Sequence, residues 1–228
     1  MKVEQRQGKD LHYLIIYPDD YQPELRYPLV IMLHGFGANM KDLAGLAPAI
    51  ERRGYLYVCP NAPIPFDLGL GTVGYGWHPR RDEATPQDFQ QAESLLNGFF
   101  DEVMEQLPAT PGHVVLLGFS QGGGMTYRCG LGRPKTFSGL AALSASLPHP
   151  EELEDRLPVQ RDQAIFIAHG GSDPLVSLDT ARAARKFLEN AGYRPDYHEY
   201  DMAHEIPPVV LRDLVPWLAQ VLPPLRLD

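Results

Sequence analysis

Seven short runs of apolar and β-forming residues punctuate this chain: LHYLIIY (11–17), YPLVIMLH (27–34), YLYVCP (55–60), HVVLLGF (113–119), FSGLAALS (137–144), AIFIAHG (164–170) and RPDYHEYD (194–201). Gly, Pro or Asp ends or directly follows five of them, as turn chemistry favours. Most carry too little polar alternation for a half-exposed sheet, so they read as central strands buried on both faces. Their alternation with helical segments implies a mainly parallel sheet with helices packed on both sides.

The clearest helix spans 86–107, where Phe89, Ala92, Leu96, Phe99, Val103 and Leu107 recur at spacings of three and four. Thr85 can cap it, Pro86 suits its first position, and Asp88 sets a carboxylate at the positive end of its dipole. A second helix is expected over 178–191, from Leu178, Ala181, Ala184, Leu188 and Ala191, with Gly192 as a left-handed stop. A third is expected over about 206–222, with Pro207 and Pro208 in its first turn and a kink at Pro216. Residues 61–85, rich in Gly and Pro, fit neither pattern, and loops this long are often functional.

At 228 residues the chain is the size of one α/β domain, expected over 1–228. A net charge of −9 argues against nucleic acid or an anionic membrane as a partner. No apolar run is long enough to span a bilayer, and MKVEQRQGKD lacks the apolar segment of a signal peptide, so a cytoplasmic location is expected. Cys59 and Cys129 have neither C-x-x-C spacing nor a disulfide framework and read as buried thiols. No His, Cys and acidic residues share metal-ligand spacing.

Chemistry enters at GFSQG, residues 118–122, directly after a predicted strand. A serine hydroxyl attacks a carbonyl only if a base takes its proton and if it stands free of the surface. The G-x-S-x-G turn meets the second condition: Ser120 sits at a tight strand-to-helix junction, where side chains at Gly118 and Gly122 would collide. Gly123 and Gly124 let the helix approach the sheet, and its N-terminus directs NH groups at a developing oxyanion. The stretch lacks the lysine of a phosphate-binding P-loop.

The base and its orienting acid follow in the order Ser, Asp, His. Asp173 lies in GSDPLV after the strand AIFIAHG, and His204 in MAHEIPP after the strand RPDYHEYD, both at the carboxyl ends of strands where such sites assemble. In LHGFG (33–37) the NH of Phe36 can join that of Gln121 as a second oxyanion donor. His34 reads as loop support and His169 as structural. In the 61–85 stretch, Phe66, Leu68, Leu70 and Trp77 are expected to form one apolar wall of an open cleft, with His78 also lining it.

Taken in order, LHGFGAN (33–39), PNAP (60–63), GFSQGG (118–123), HGGSDPLV (169–176) and AHEI (203–206) resemble the phospholipase/carboxylesterase family of the α/β-hydrolase superfamily. The likeness runs from about residue 11 to 222. It implies an α/β-hydrolase fold with a mainly parallel sheet of eight strands and a triad of Ser120, Asp173 and His204, with oxyanion donors on Phe36 and Gln121. It further implies hydrolysis of small carboxylic esters or thioesters without a cofactor or metal. Two departures stand out: Trp77 is followed by His78, Pro79, Arg80 and Arg81, and DMAHEI has no glycine directly before the histidine.

The expected function is a serine carboxylesterase for short to medium acyl chains, working through an acyl-enzyme on Ser120 as a monomer or homodimer. A thioesterase or lysophospholipase with the same machinery is the alternative. A non-catalytic binding protein on this fold would be expected to lack one of the three residues, and all three are present. No large helical insertion appears between strands, so no lid domain is expected.

Overall fold

The computed structural model describes all residues except Leu70, Arg81, Leu227 and Asp228. Its strands are β1 (Lys2–Gln7), β2 (His12–Tyr17), β3 (Leu29–Leu33), β4 (Leu56–Pro60), β5 (Ile64–Asp67), β6 (Val73–Gly76), β7 (Val114–Phe119), β8 (Gly139–Leu143), β9 (Ala164–Gly170) and β10 (Asp196–Tyr200). Every residue of β3, β4 and β8 is buried, as strands covered on both faces must be. Along β3 the faces alternate: Leu29, Ile31 and Leu33 join one core, while Val30 and Met32 join the other.

Eight strands form one sheet in the order β1-β2-β4-β3-β7-β8-β9-β10. The pairs β1/β2 and β2/β4 are antiparallel, and every pair from β4 to β10 is parallel. The helices are α1 (Ala47–Ile50), α2 (Pro86–Gln106), α3 (Gln121–Gly130), α4 (Pro150–Glu154), α5 (Leu178–Asn190) and α6 (Pro208–Val221). Buried residues of α2, α3 and α5 build the core on one face of the sheet, and those of α1 and α6 build it on the other. This is an α/β-hydrolase architecture, and among the described residues no large helical insertion covers the sheet.

The start of α2 is set as its sequence predicts: Thr85 accepts from the Asp88 NH while the Asp88 carboxylate reaches back to the Thr85 NH. Gly192, at φ +93°, follows α5 in the left-handed region. Pro216 lies on the exposed side of α6, and the helix runs through it undivided. Five elements were not predicted: β1, β5, β6 and the short helices α1 and α4. Strand β1, KVEQRQ, is a polar edge strand paired on one side only, so no apolar run announces it. The hairpin β5/β6 lies within residues 61–85, its turn made by Gly69 and Gly71 at φ +87° and +75°.

Candidate active site

Ser120 stands between the last residue of β7 and the first of α3, at φ 53°, ψ −116°. A non-glycine residue in this region is strained and persists only where its surroundings hold it. The packing that holds it leaves no room for side chains. A Cβ on Gly118 would lie 2.3 Å from the Gly122 carbonyl oxygen, and one on Gly122 would lie 2.1 Å from that of Leu33. A Cβ on Gly123 would meet Ala145 at 2.7 Å, whereas Gly124 has ordinary contact distance, 3.4 Å, to its nearest neighbour. Three of the four glycines are therefore required by close approach, and the fourth is not.

The other two candidates arrive from neighbouring loops. Beyond β9, the Gly171 NH donates to the Tyr200 carbonyl (2.7 Å) and the Ser172 NH to that of Met202 (3.1 Å), which ties the acid loop to the loop after β10. A Cβ on Gly170 would lie 2.4 Å from the Ala203 carbonyl oxygen, so this glycine allows the two loops to touch. His204 Nδ1 donates to Asp173 Oδ2 at 2.7 Å, which leaves Nε2 to accept from the Ser120 hydroxyl at 2.9 Å. The second carboxylate oxygen of Asp173 accepts from the NH groups of Leu175 and Val176, both at 2.9 Å. Burial opposes ionisation of Asp173, but these two NH groups and His204 outweigh it and hold the carboxyl below its ordinary range. Buried His169 donates from Nε2 to the Val176 carbonyl at 2.8 Å and braces the same turn.

Phe36 follows β3, and its loop lies directly against the serine, since a Cβ on Gly35 would be 3.2 Å from that of Ser120. Among the described residues, neither the Phe36 NH nor the Gln121 NH donates to a protein acceptor. Both residues line a cavity of about 920 Å³ that also takes in Ser120, His204, His78 and Phe89.

The expected apolar wall is corrected by the structure. Trp77 does not line the cavity: it is 1% exposed, and its indole NH donates to the His34 carbonyl at 2.9 Å. An indole in a buried position needs such an acceptor, and the one available lies beneath the site. Phe66 packs on the Phe36 ring (centroids 4.5 Å apart) outside the lining, and Leu68 sits 48% exposed at the end of the hairpin. Leu70 lies outside the described residues. His78 does line the cavity, its ring 4.1 Å from that of Phe89.

Sequence reasoning missed the side chain of Gln121. Its Oε1 accepts from the Trp77 NH (2.7 Å) and its Nε2 donates to the His78 carbonyl (2.9 Å), so the residue after the serine also clamps the cavity wall. Phe89 was legible only as core, because its spacing on α2 belongs to the buried face. His34 joins the same scaffold: Nε2 accepts from the Ala62 NH at 3.0 Å, and burial pushes its pKa down to about 4.

Among the described residues, no three His, Cys, Asp or Glu side chains converge as metal ligands would, and no helix is long and apolar enough to cross a membrane.

Residues 22–222 match the phospholipase/carboxylesterase family, a span that contains every candidate residue above. Acyl-protein thioesterase 1 of Mycosarcoma maydis is 31% identical over 222 residues, covering 85% of this chain and 91% of that protein. Among solved structures, esterase PE8 has a TM-score of 0.79 at 23% identity, covering 97% of this chain and 100% of that one. A carboxylesterase from Mesorhizobium loti likewise has a TM-score of 0.79, at 19% identity, covering 95% of this chain and 98% of that one. The sheet order and the matched span agree, and the chain belongs to the phospholipase/carboxylesterase family.

Proposed function

We propose that this protein is a serine hydrolase that cleaves small carboxylic esters through an acyl-enzyme on Ser120. The observation that carries the reading is the continuous hydrogen-bonded chain from Asp173 through His204 to Ser120, opening into the cavity. His204 takes the Ser120 proton as the oxygen attacks the ester carbonyl, and the NH groups of Phe36 and Gln121 hold the oxyanion. Collapse of the tetrahedral intermediate expels the alcohol, which takes its proton from His204. Water then repeats the sequence on the acyl-enzyme and releases the acid and Ser120. Asp173 fixes the histidine tautomer and stabilises the imidazolium that forms.

Intact-mass spectrometry after incubation with a fluorophosphonate tests the assignment. One adduct, mapped to Ser120 and accompanied by loss of p-nitrophenyl butyrate turnover, is the expected result. Folded protein that takes no adduct would overturn it.

A thioesterase is the second reading, supported by the relative named acyl-protein thioesterase 1. The same groups serve either leaving atom, because selection between them lies in the pocket. Matched oxygen and thiol esters of one acyl chain, compared by kcat/KM, separate the two.

A further inference from the structure

We propose that His78 is a hydrogen-bond-accepting subsite of this cavity, and that the protein therefore prefers esters bearing a free hydroxyl group over their plain alkyl counterparts. The proposal rests on the hydrolase reading of Ser120 and adds the chemistry of what is held beside it.

The tautomer of His78 follows from its neighbours. Nδ1 lies 2.7 Å from the Pro79 carbonyl oxygen, which can only accept, so Nδ1 carries the proton and donates. Gln121 Nε2 is also close, at 3.1 Å, but it has two carbonyl acceptors for its two hydrogens, those of His78 (2.9 Å) and Pro79 (3.4 Å). With its proton on Nδ1, the ring presents Nε2 as a bare lone pair. Among the described residues Nε2 has no protein partner and is not sealed from solvent, and His78 is one of the residues that line the cavity. The wall therefore offers an acceptor to whatever fills the space beside Ser120.

That acceptor is held in place before substrate arrives. Gln121 grips the His78 backbone, and the ring rests on Phe89, which also meets the His149 ring edge-on at 4.9 Å. Little ordering remains to be done on binding, which is the condition under which one hydrogen bond discriminates well.

The donor it suits is neutral. Arg80 lines the cavity, while the buried Arg128 guanidinium near the Phe89 ring is already paired with Glu93 (2.8 Å) and Glu152 (2.7 Å) and offers no free charge to it. Asp42 and Glu151 also line the cavity, but both are exposed and screened by water. Burial keeps His78 less basic than an ordinary histidine, outweighing the opposite pull of the Pro79 carbonyl and Asp88, so the lone pair persists at neutral pH. An ammonium group would give up its hydration for a single neutral acceptor, whereas a hydroxyl loses far less on moving to that lone pair.

Two matched substrate pairs test this: p-nitrophenyl butyrate against p-nitrophenyl 3-hydroxybutyrate for the acyl side, and propyl butyrate against glycerol monobutyrate for the alcohol side. In one pair the hydroxylated ester should have kcat/KM about 3- to 10-fold higher, the range of one neutral hydrogen bond. The responding pair identifies the side of the ester that faces His78. His78→Phe, which keeps a ring on Phe89 and removes the acceptor, should bring that ratio to about one whatever happens to absolute rates. Equal kcat/KM within both pairs for a wild-type protein that labels at Ser120 would overturn the subsite alone. So would a ratio that survives His78→Phe. Failure of Ser120 to label would overturn the hydrolase reading, and the subsite with it.

Discussion

Two regions meet at the cavity, and they are built in opposite ways. The elbow, residues 114–130, gets its geometry from its own sequence: a buried strand, a strained serine, and glycines that let α3 press against β3 and β8. The wall, residues 61–85, has almost no core of its own and borrows its shape from elsewhere. The Gly37 NH donates to the Tyr75 carbonyl and the Tyr75 NH to that of Ala38, both at 2.9 Å, which clips the hairpin to the loop after β3. Gln121 and the His34 carbonyl hold Trp77. On the hydrolase reading, the contrast puts the nucleophile in the self-contained region and the proposed hydroxyl selection in the borrowed one.

The largest expected effect sharpens that division. Ser120→Ala should lower kcat by about 10⁶ and Asp173→Asn by about 10⁴, on the scale of related triads, and by the same factor for every ester. Turnover in Ser120→Ala near that of the wild type would end the assignment, and a loss confined to some esters would show that choice is also made at the elbow.

Next comes the packing that makes the elbow self-contained. Gly122→Ala should destabilise the protein by about 3 kcal/mol or more, because the backbone of Leu33 and His34 cannot move aside for the methyl group. Gly124→Ala, two residues along the same helix, meets only ordinary contacts and should instead stabilise by roughly 0.5–1 kcal/mol through helix propensity. Urea denaturation of both variants decides the matter, and equal effects would mean that close approach does not explain these glycines.

The same division explains what could be read in advance. The sheet was legible because its central strands are apolar along their whole length, and Ser120, Asp173 and His204 because each follows a strand in the expected order. Strand β1 was not, since an edge strand with exposed charges looks like any polar terminus. Trp77 was misplaced because a tryptophan in a Gly- and Pro-rich stretch gives no sign of which buried carbonyl its indole will find. Gln121 was legible as a backbone donor but not as a clamp, because its partners lie more than 40 residues away. Local steric rules travel with the sequence, whereas a wall assembled from distant hydrogen bonds does not.

His34 joins the two regions and offers the smallest, most specific test. Its carbonyl takes the Trp77 indole, its Nε2 takes the Ala62 NH, and its Nδ1 donates to the Gly35 carbonyl at 2.8 Å. Buried at 1% exposure, it is neutral in the folded protein down to about pH 4, whereas in the unfolded chain it takes up a proton near pH 6.5. Between those values the unfolded state binds the extra proton, so stability falls as the pH is lowered through this window and the loss is complete below it. From pH 7 to pH 5 that amounts to about 2 kcal/mol from this residue. His34→Gln can keep an acceptor for Ala62 and a donor for Gly35 without titrating, and should remove that part of the slope in urea denaturation at the two pH values. An unchanged slope would show that the junction between elbow and wall admits water or a proton, and that the wall is held less tightly than its hydrogen bonds imply.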